Sequence, residues 1–202
     1  MIPSIVCCFR SGGDYLPKHV LALRKQIEKN TTVDYKFVCY SDVLIGDSIP
    51  LKRGYPGWWS CVELWRATGP SILLGLDTII LGNIDGLLKL STEVEENEFL
   101  LLDSPFHAGE FVNGIQVYNG DWSWLYENFN YEKESAIHRG DENYLINEIQ
   151  KKNAKIGSIN KHFPGIYNYK RQYKFKQFRD AKIIYFHGRP RPWQTRLWRM
   201  VK

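Results

Sequence analysis

The first forty residues restrict the possible fold more than any other stretch. Ser4-Ile5-Val6-Cys7-Cys8-Phe9 is a short apolar run, β-branched in part, and predicts a buried strand. A polar, glycine-containing turn follows, Arg10-Ser11-Gly12-Gly13-Asp14. Pro17 then stands where a helix accepts proline, in its first turn. Leu16, Val20, Leu23 and Ile27 recur at helical spacing on one face. Tyr35-Lys36-Phe37-Val38-Cys39-Tyr40 predicts a second strand. A strand, a helix and a strand in this order imply a right-handed crossover between parallel strands.

The alternation continues. Trp58 to Ala67 reads as a short helix closed by Gly69-Pro70. Ser71-Ile72-Leu73-Leu74-Gly75-Leu76 predicts a third strand that runs straight into Asp77, and Thr78 to Leu81 stays extended. Phe99 to Asp103 and Ile115 to Tyr118 predict further strands. Trp122, Leu125, Tyr126 and Phe129 mark a helix. Asp141 to Lys151 marks another, with an acid in its first turn. Lys182 to His187 predicts a last strand. The expected class is α/β, a single Rossmann-like domain over 1–202 with a mainly parallel central sheet and helices on both faces. Ligands in such sheets bind at the carboxyl ends of the strands. The polar residues at those ends are Arg10, Asp77, Asp103 and His187.

A chain of 202 residues with 44% apolar content can bury a core without staples. No apolar run approaches the roughly 18–20 residues of a membrane span. Met1 to Phe9 lacks the basic start and longer apolar stretch of a signal peptide, and the four cysteines show no C-x-x-C spacing. Buried reduced thiols in a cytoplasmic protein are therefore expected. The charge is uneven. Residues 170–202 carry eleven Lys or Arg and one acid, Asp180, whereas residues 1–169 carry sixteen bases and twenty-one acids. Such a segment fits a phosphate-bearing partner or is a solvated basic tail. Tyr173, Phe175, Phe178, Tyr185, Phe186, Trp193 and Trp198 interleave with its charges, so it is expected to pack on the body.

Asp77 ends an apolar run and is followed by Asn83 and Asp85. An acid there suits a hard divalent cation shared with a diphosphate, or a simple turn. His187 precedes Gly188, Arg189 and Arg191, a set that suits phosphate and metal, or a histidine that is merely hydrogen-bonded. Asn113-Gly114 inside a strand pattern marks close approach of a ligand, or a bulge. Asp141 and Glu142 read as catalytic carboxylates or as ordinary first-turn acids, kept ionised near a positive helix end. There is no P-loop, G-x-G-x-x-G or G-x-S-x-G, and no zinc-type spacing.

Taken in order, Phe9 to Tyr15, Gly57 to Trp65, Leu76 to Asp85, Phe111 to Gly114, Gly140 to Glu142 and Phe186 to Trp193 resemble the GT-A-fold nucleotide-sugar glycosyltransferases. The resemblance is to the group of glycogenin and the lipopolysaccharide galactosyltransferases, and to a short branch that includes a chlorella-virus glycosyltransferase domain. It implies a metal-dependent hexosyltransferase that moves glucose or a related hexose or deoxyhexose from a UDP-sugar to a glycan or glycoprotein acceptor, with retention. For a viral chain it implies the host cytoplasm, and it implies no nucleic-acid partner. It implies Mn²⁺, or Mg²⁺, on Asp77 and His187, and UDP contacts from Phe9, Arg10, Tyr15, Arg66, Asp77, Gly188, Arg191 and Trp193. Asn113 and Gly114 would lie beside the donor sugar, and Asp141, Glu142 or Asp103 would serve catalysis. Gly75 departs from the family pattern, because the first acid of its D-x-D motif falls there. A nucleotide-sugar-forming nucleotidyltransferase and a non-catalytic carbohydrate or nucleic-acid binding module are the other readings.

Overall fold

The computed structural model describes residues 1–174, 176 and 178–201, so Phe175 of the basic segment lies outside the described residues. In chain order the strands are β1 (Ser4–Phe9), β2 (Lys36–Ser41), β3 (Ile49–Pro50), β4 (Ser71–Leu74), β5 (Thr78–Ile80), β6 (Glu98–Asp103), β7 (Phe111–Tyr118), β8 (Lys155–Ser158), β9 (Ile166–Asn168) and β10 (Ile183–Tyr185). The helices are α1 (Pro17–Lys29), α2 (Asp85–Glu93), α3 (Trp124–Glu127), α4 (Tyr131–Ile137), α5 (Asp141–Lys151), α6 (Ile159–His162) and α7 (Leu197–Met200).

Helix α1 begins at the proline, and β2 lies parallel to β1 with Cys7 opposite Cys39, so the crossover forms as expected. Among the described residues the larger sheet has the order β3-β2-β1-β4-β7-β6-β8. Strand β7 is antiparallel to β4 and β6, and the other pairings are parallel. Successive side chains of β1 point to opposite faces. Ile5, Cys7 and Phe9 pack with Val20, Leu23 and Ile27 of α1 and Leu87 and Leu88 of α2. Val6 packs on the other face with Trp59, Val62 and Trp65 and with Tyr144, Leu145 and Ile149 of α5. Burial on both faces is why these strands read as unbroken apolar runs.

Two segments differ from expectation. Gly57–Arg66 forms 3-10 turns rather than an α-helix. Trp59, Val62 and Trp65 are buried at intervals of three, the period of that helix. The run from Ser71 to Leu81 is two strands in two sheets. The chain leaves the larger sheet after Leu74, and β5 joins a second sheet of order β5-β10-β9. Tyr185 lies opposite Thr78 in its antiparallel β5–β10 ladder, and the Phe186 N–H donates to the Asp77 carbonyl at 3.0 Å. The end of β10 is thereby brought beside the end of β4.

The described residues of the basic segment pack on the body. Ile184, Phe186 and Leu197 bury with Ile79. Trp193 stacks on His19 of α1 with ring centres 3.7 Å apart, and Trp198 meets the same imidazole edge-on at 5.6 Å. Among the described residues no helix is long and apolar enough to cross a membrane.

Candidate active site at the strand ends

A cleft of ≈ 680 Å³ opens at the carboxyl ends of β1 and β4. Its walls come from several places in the chain: the turn Arg10 to Tyr15, the 3-10 start Gly57 to Cys61, Gly75 to Asp77, Phe106, the middle of β7, the first turn of α5, and His187 to Arg191. The structure therefore brings together Arg10, Tyr15, Asp77, Asn113, Gly114, Asp141, Glu142, His187, Gly188 and Arg191.

One side of the cleft is built around Arg191. Its Nη1 donates to Asp77 Oδ2 at 3.0 Å and to the Tyr15 hydroxyl at 2.9 Å. The Tyr15 hydroxyl donates in turn to the same carboxylate oxygen at 3.1 Å. Arg191 Nε lies 3.4 Å from Asp14 Oδ2, and Arg189 Nη2 lies 3.1 Å from Asp14 Oδ1. Burial pushes the Asp77 carboxyl above its ordinary range, with the Arg191 guanidinium and the Tyr15 hydroxyl pulling the other way. Gly188 adopts φ +65°, a left-handed conformation that suits glycine and turns the chain from β10 toward Arg191.

The other side pairs β7 with α5. The register of β6 and β7 shifts between Leu101 and Leu102, so β7 bulges around Asn113 and Gly114. The bulge directs the Asn113 N–H to Glu142 Oε2 at 3.0 Å and its Nδ2 to Asp141 Oδ2 at 2.8 Å. A Cβ at residue 114 would lie 3.1 Å from the Tyr185 ring, so the glycine lets β7 and that ring pass close together. Burial raises the Asp141 carboxyl to about 6, against the Asn113 hydrogen bond that lowers it. The Glu142 carboxyl is raised too, and again burial is the largest cause. Burial outweighs the helix end at both acids, yet a carboxyl near 6 leaves Asp141 mostly ionised at neutral pH, as expected. His187 acts electrostatically on both Asp77 and Glu142 and so links the two sides.

Four expected site residues are not brought into the cleft. Phe9 faces α1 and is 1% exposed, because strand alternation points it into the core. Arg66 is held by Glu63 Oε2 at 2.7 Å and lies over the Tyr40 ring. Asp103 lies at the exposed end of β6, its N–H donating to Asn160 Oδ1. Trp193 is occupied by His19, where it anchors the segment that carries Arg191. Conversely, Asp14 and Phe106 belong to the cleft, although neither carries a role read from the sequence. Asp14 lies in the glycine turn, and the two arginines it meets are about 175 residues distant in the chain, so no local pattern marks it. Phe106 sits on a loop, under Arg171 at 4.9 Å and against His187 at 5.4 Å, with no periodicity to mark it.

The divalent ion implied by the resemblance needs open donors. Asp77 Oδ2 already accepts two hydrogen bonds, from Tyr15 and Arg191. Its Oδ1 lies 2.7 Å from where a Cβ of residue 75 would stand, so a second acid there would displace Asp77 itself. Among the described residues no three His, Cys, Asp or Glu side chains are grouped to hold a metal. The residues as arranged do not fit the ion.

No protein-family model matches the sequence, and no curated protein matches it. Solved structures do match the fold. The glycosyltransferase GlyE of Streptococcus pneumoniae TIGR4 superposes with a TM-score of 0.68 at 15% identity, over 96% of this chain. The chain spans 56% of the GlyE chain. The galactosyltransferase LgtC, solved with donor and acceptor sugar analogs, gives 0.59 at 13% identity over 94% of this chain and 89% of LgtC. Mouse xyloside xylosyltransferase 1 gives 0.60 at 9% identity over 92% and 97%. The chain has the α/β architecture of these GT-A glycosyltransferases, with a seven-stranded, mostly parallel sheet.

Proposed function

We propose that this chain is a glycosyltransferase that moves a hexose or deoxyhexose from a UDP-sugar to a glycan or glycoprotein acceptor, with retention at the anomeric carbon. The observation that carries the reading is the meeting, in one cleft, of a held guanidinium from residue 191 with the carboxylates of residues 141 and 142. Sugar transfer needs both. Negative charge grows on the departing diphosphate, and preorganised donors stabilise it. Arg191 and the Gly188 N–H serve that end of the cleft. The sugar becomes oxocarbenium-like as its bond to the diphosphate breaks. Asp141 and Glu142, fixed by Asn113, place negative charge beside that cation. The exposed Trp58 and the ring of Phe106 are apolar walls against which sugar or base can pack.

A thermal-shift panel of nucleotide sugars tests the reading. A ligand at a hundred times its Kd adds about 2.7 kcal/mol. For a chain of this length that raises Tm by roughly 5–10 °C. UDP and UDP-hexoses are expected to give such a shift, and incubation with UDP-glucose and a glycan mixture to release UDP. Pyrophosphate release from UTP and a sugar 1-phosphate would mark a nucleotidyltransferase instead. Binding of glycans without any nucleotide effect would mark a binding module.

A further inference from the structure

We propose that Arg191 takes the place of a divalent cation against the leaving diphosphate, so that donor binding and sugar transfer proceed without a bound metal. The inference rests on the sugar-nucleotide reading above and goes beyond it.

Three observations carry it. First, the guanidinium occupies the carboxylate that would hold an ion. Arg191 Nη1 is 3.0 Å from Asp77 Oδ2 and 2.9 Å from the Tyr15 hydroxyl, while Nε leans on Asp14 at 3.4 Å. The guanidinium carbon lies 4.9 Å from the centre of the Tyr15 ring. The side chain is 20% exposed, so its charge is fixed and largely shielded from water before any ligand arrives. Second, a divalent ion on Asp77 would either evict Arg191 or sit against a like charge in a partly dry cleft, where repulsion is strong. Third, Gly75 removes the second acid, and the Asp77 carboxylate fills the space that acid's Cβ would need. What remains at the end of β4 is one carboxylate that is already paired, too little for a hard cation that prefers several oxygen ligands.

A guanidinium suits the task in its own right. It is planar, permanently charged and shaped to bind two phosphate oxygens at once. On donor binding, Nη1 keeps its Asp77 contact while Nη2 of the same guanidinium donates to a diphosphate oxygen. As the bond from the anomeric carbon to the β-phosphate oxygen breaks, the electron pair goes to that oxygen beside Arg191. The acceptor hydroxyl oxygen bonds to the anomeric carbon, and its proton passes to the departing phosphate oxygen. Asp77 keeps Tyr15 as its partner throughout.

The test is calorimetric titration of UDP and UDP-glucose into EDTA-treated protein, with and without added Mn²⁺. UDP is expected to bind the metal-stripped protein, with Mn²⁺ changing Kd less than about threefold, as for an ion that adds no ligand contacts. Arg191→Ala should weaken UDP at least about tenfold, the usual loss for a charged hydrogen bond. Arg191→Lys should keep binding metal-independent but weaker. Arg199→Ala, on the exposed face of α7, should change nothing. Melting temperatures check that each variant is folded, and the Lys variant carries the test if the Ala variant is not. Binding that Mn²⁺ tightens by more than about threefold overturns the inference and leaves the sugar-nucleotide reading standing. Wild-type affinity in Arg191→Ala overturns it as well. Failure of any nucleotide to bind, with or without metal, overturns both.

Discussion

At the scale of single residues, the cleft is a contest between burial and local charge. Asp141 opens α5, where the helix end favours its ionised form, and it accepts a 2.8 Å hydrogen bond from Asn113. Burial still wins and lifts the carboxyl to about 6. At neutral pH it is mostly ionised, and it takes up a proton as the pH falls through about 6. If its charge stabilises the sugar cation, the transfer rate falls on that acidic limb. Asp141→Asn should then transfer sugar at least ~100-fold more slowly, bind UDP normally and show no limb near 6. The measurement is kcat against pH for both proteins, beside UDP titrations. A variant with the wild-type rate would make Asp141 a structural partner of Asn113 and move the test to Glu142. Gly75 offers a second case. An added Cβ would press on Asp77 Oδ1 at 2.7 Å. Gly75→Ala should shift Asp77, loosen its hold on Arg191 and weaken UDP several-fold with Tm little changed, because the strain falls on a part-buried side chain rather than on the core.

At the scale of elements, legibility followed periodicity and burial. β1, α1, β2 and α5 each carry one clean pattern, and their limits were readable nearly to the residue. β8 (Lys-Ile-Gly-Ser) and β9 (Ile-Tyr-Asn) have one or two large apolar side chains apiece and offer no run to detect. The split between β4 and β5 was hidden because apolar residues continue through it, with Gly75 as the sole punctuation. In the site, polar residues at strand ends were visible because strands stop where solvent or ligand begins. Side-chain direction was not visible. Trp193 and Arg66 sit at suitable places in the chain, yet one turns to His19 and the other to Glu63. The Trp193 contact has a consequence for the element that carries it. If the stack on α1 holds residues 188–191 in place, Trp193→Ala should cost about 1.5–3 kcal/mol of stability and raise the UDP Kd. Trp193→Phe should restore both. Weaker UDP binding in Trp193→Ala that Phe does not rescue would point instead to direct contact between the indole and the nucleotide.

At the scale of the whole molecule, the site joins distant parts of the chain, and its protonation is tied to folding through groups of opposite sign. His19 lies under the Trp193 stack, 2% exposed. Its Nδ1 accepts from the Leu16 N–H, and its Nε2 has no partner. Burial, with a smaller push from Lys18, lowers it from 6.5 to about 4. The unfolded chain binds this proton more readily, so the contribution of His19 to stability is lost as pH falls from about 6.5 to about 4. Asp141 runs the other way. Its folded value of about 6 lies above its ordinary 3.8, so the folded chain holds that proton more tightly and gains stability as pH falls through the same window. The two slopes oppose each other, and each variant should unmask the other group. Relative to wild type, Asp141→Asn should lose stability progressively as pH falls from 6 toward 4, since it lacks the Asp141 gain and shares every other titrating group. His19→Phe, which keeps a flat ring beneath Trp193, should gain over the same range. Denaturant titrations at half-unit steps of pH measure both difference curves. Curves that stay parallel to wild type would mean that the two groups titrate alike folded and unfolded, and that the anchor under Trp193 and the carboxylates in the cleft are not set by burial.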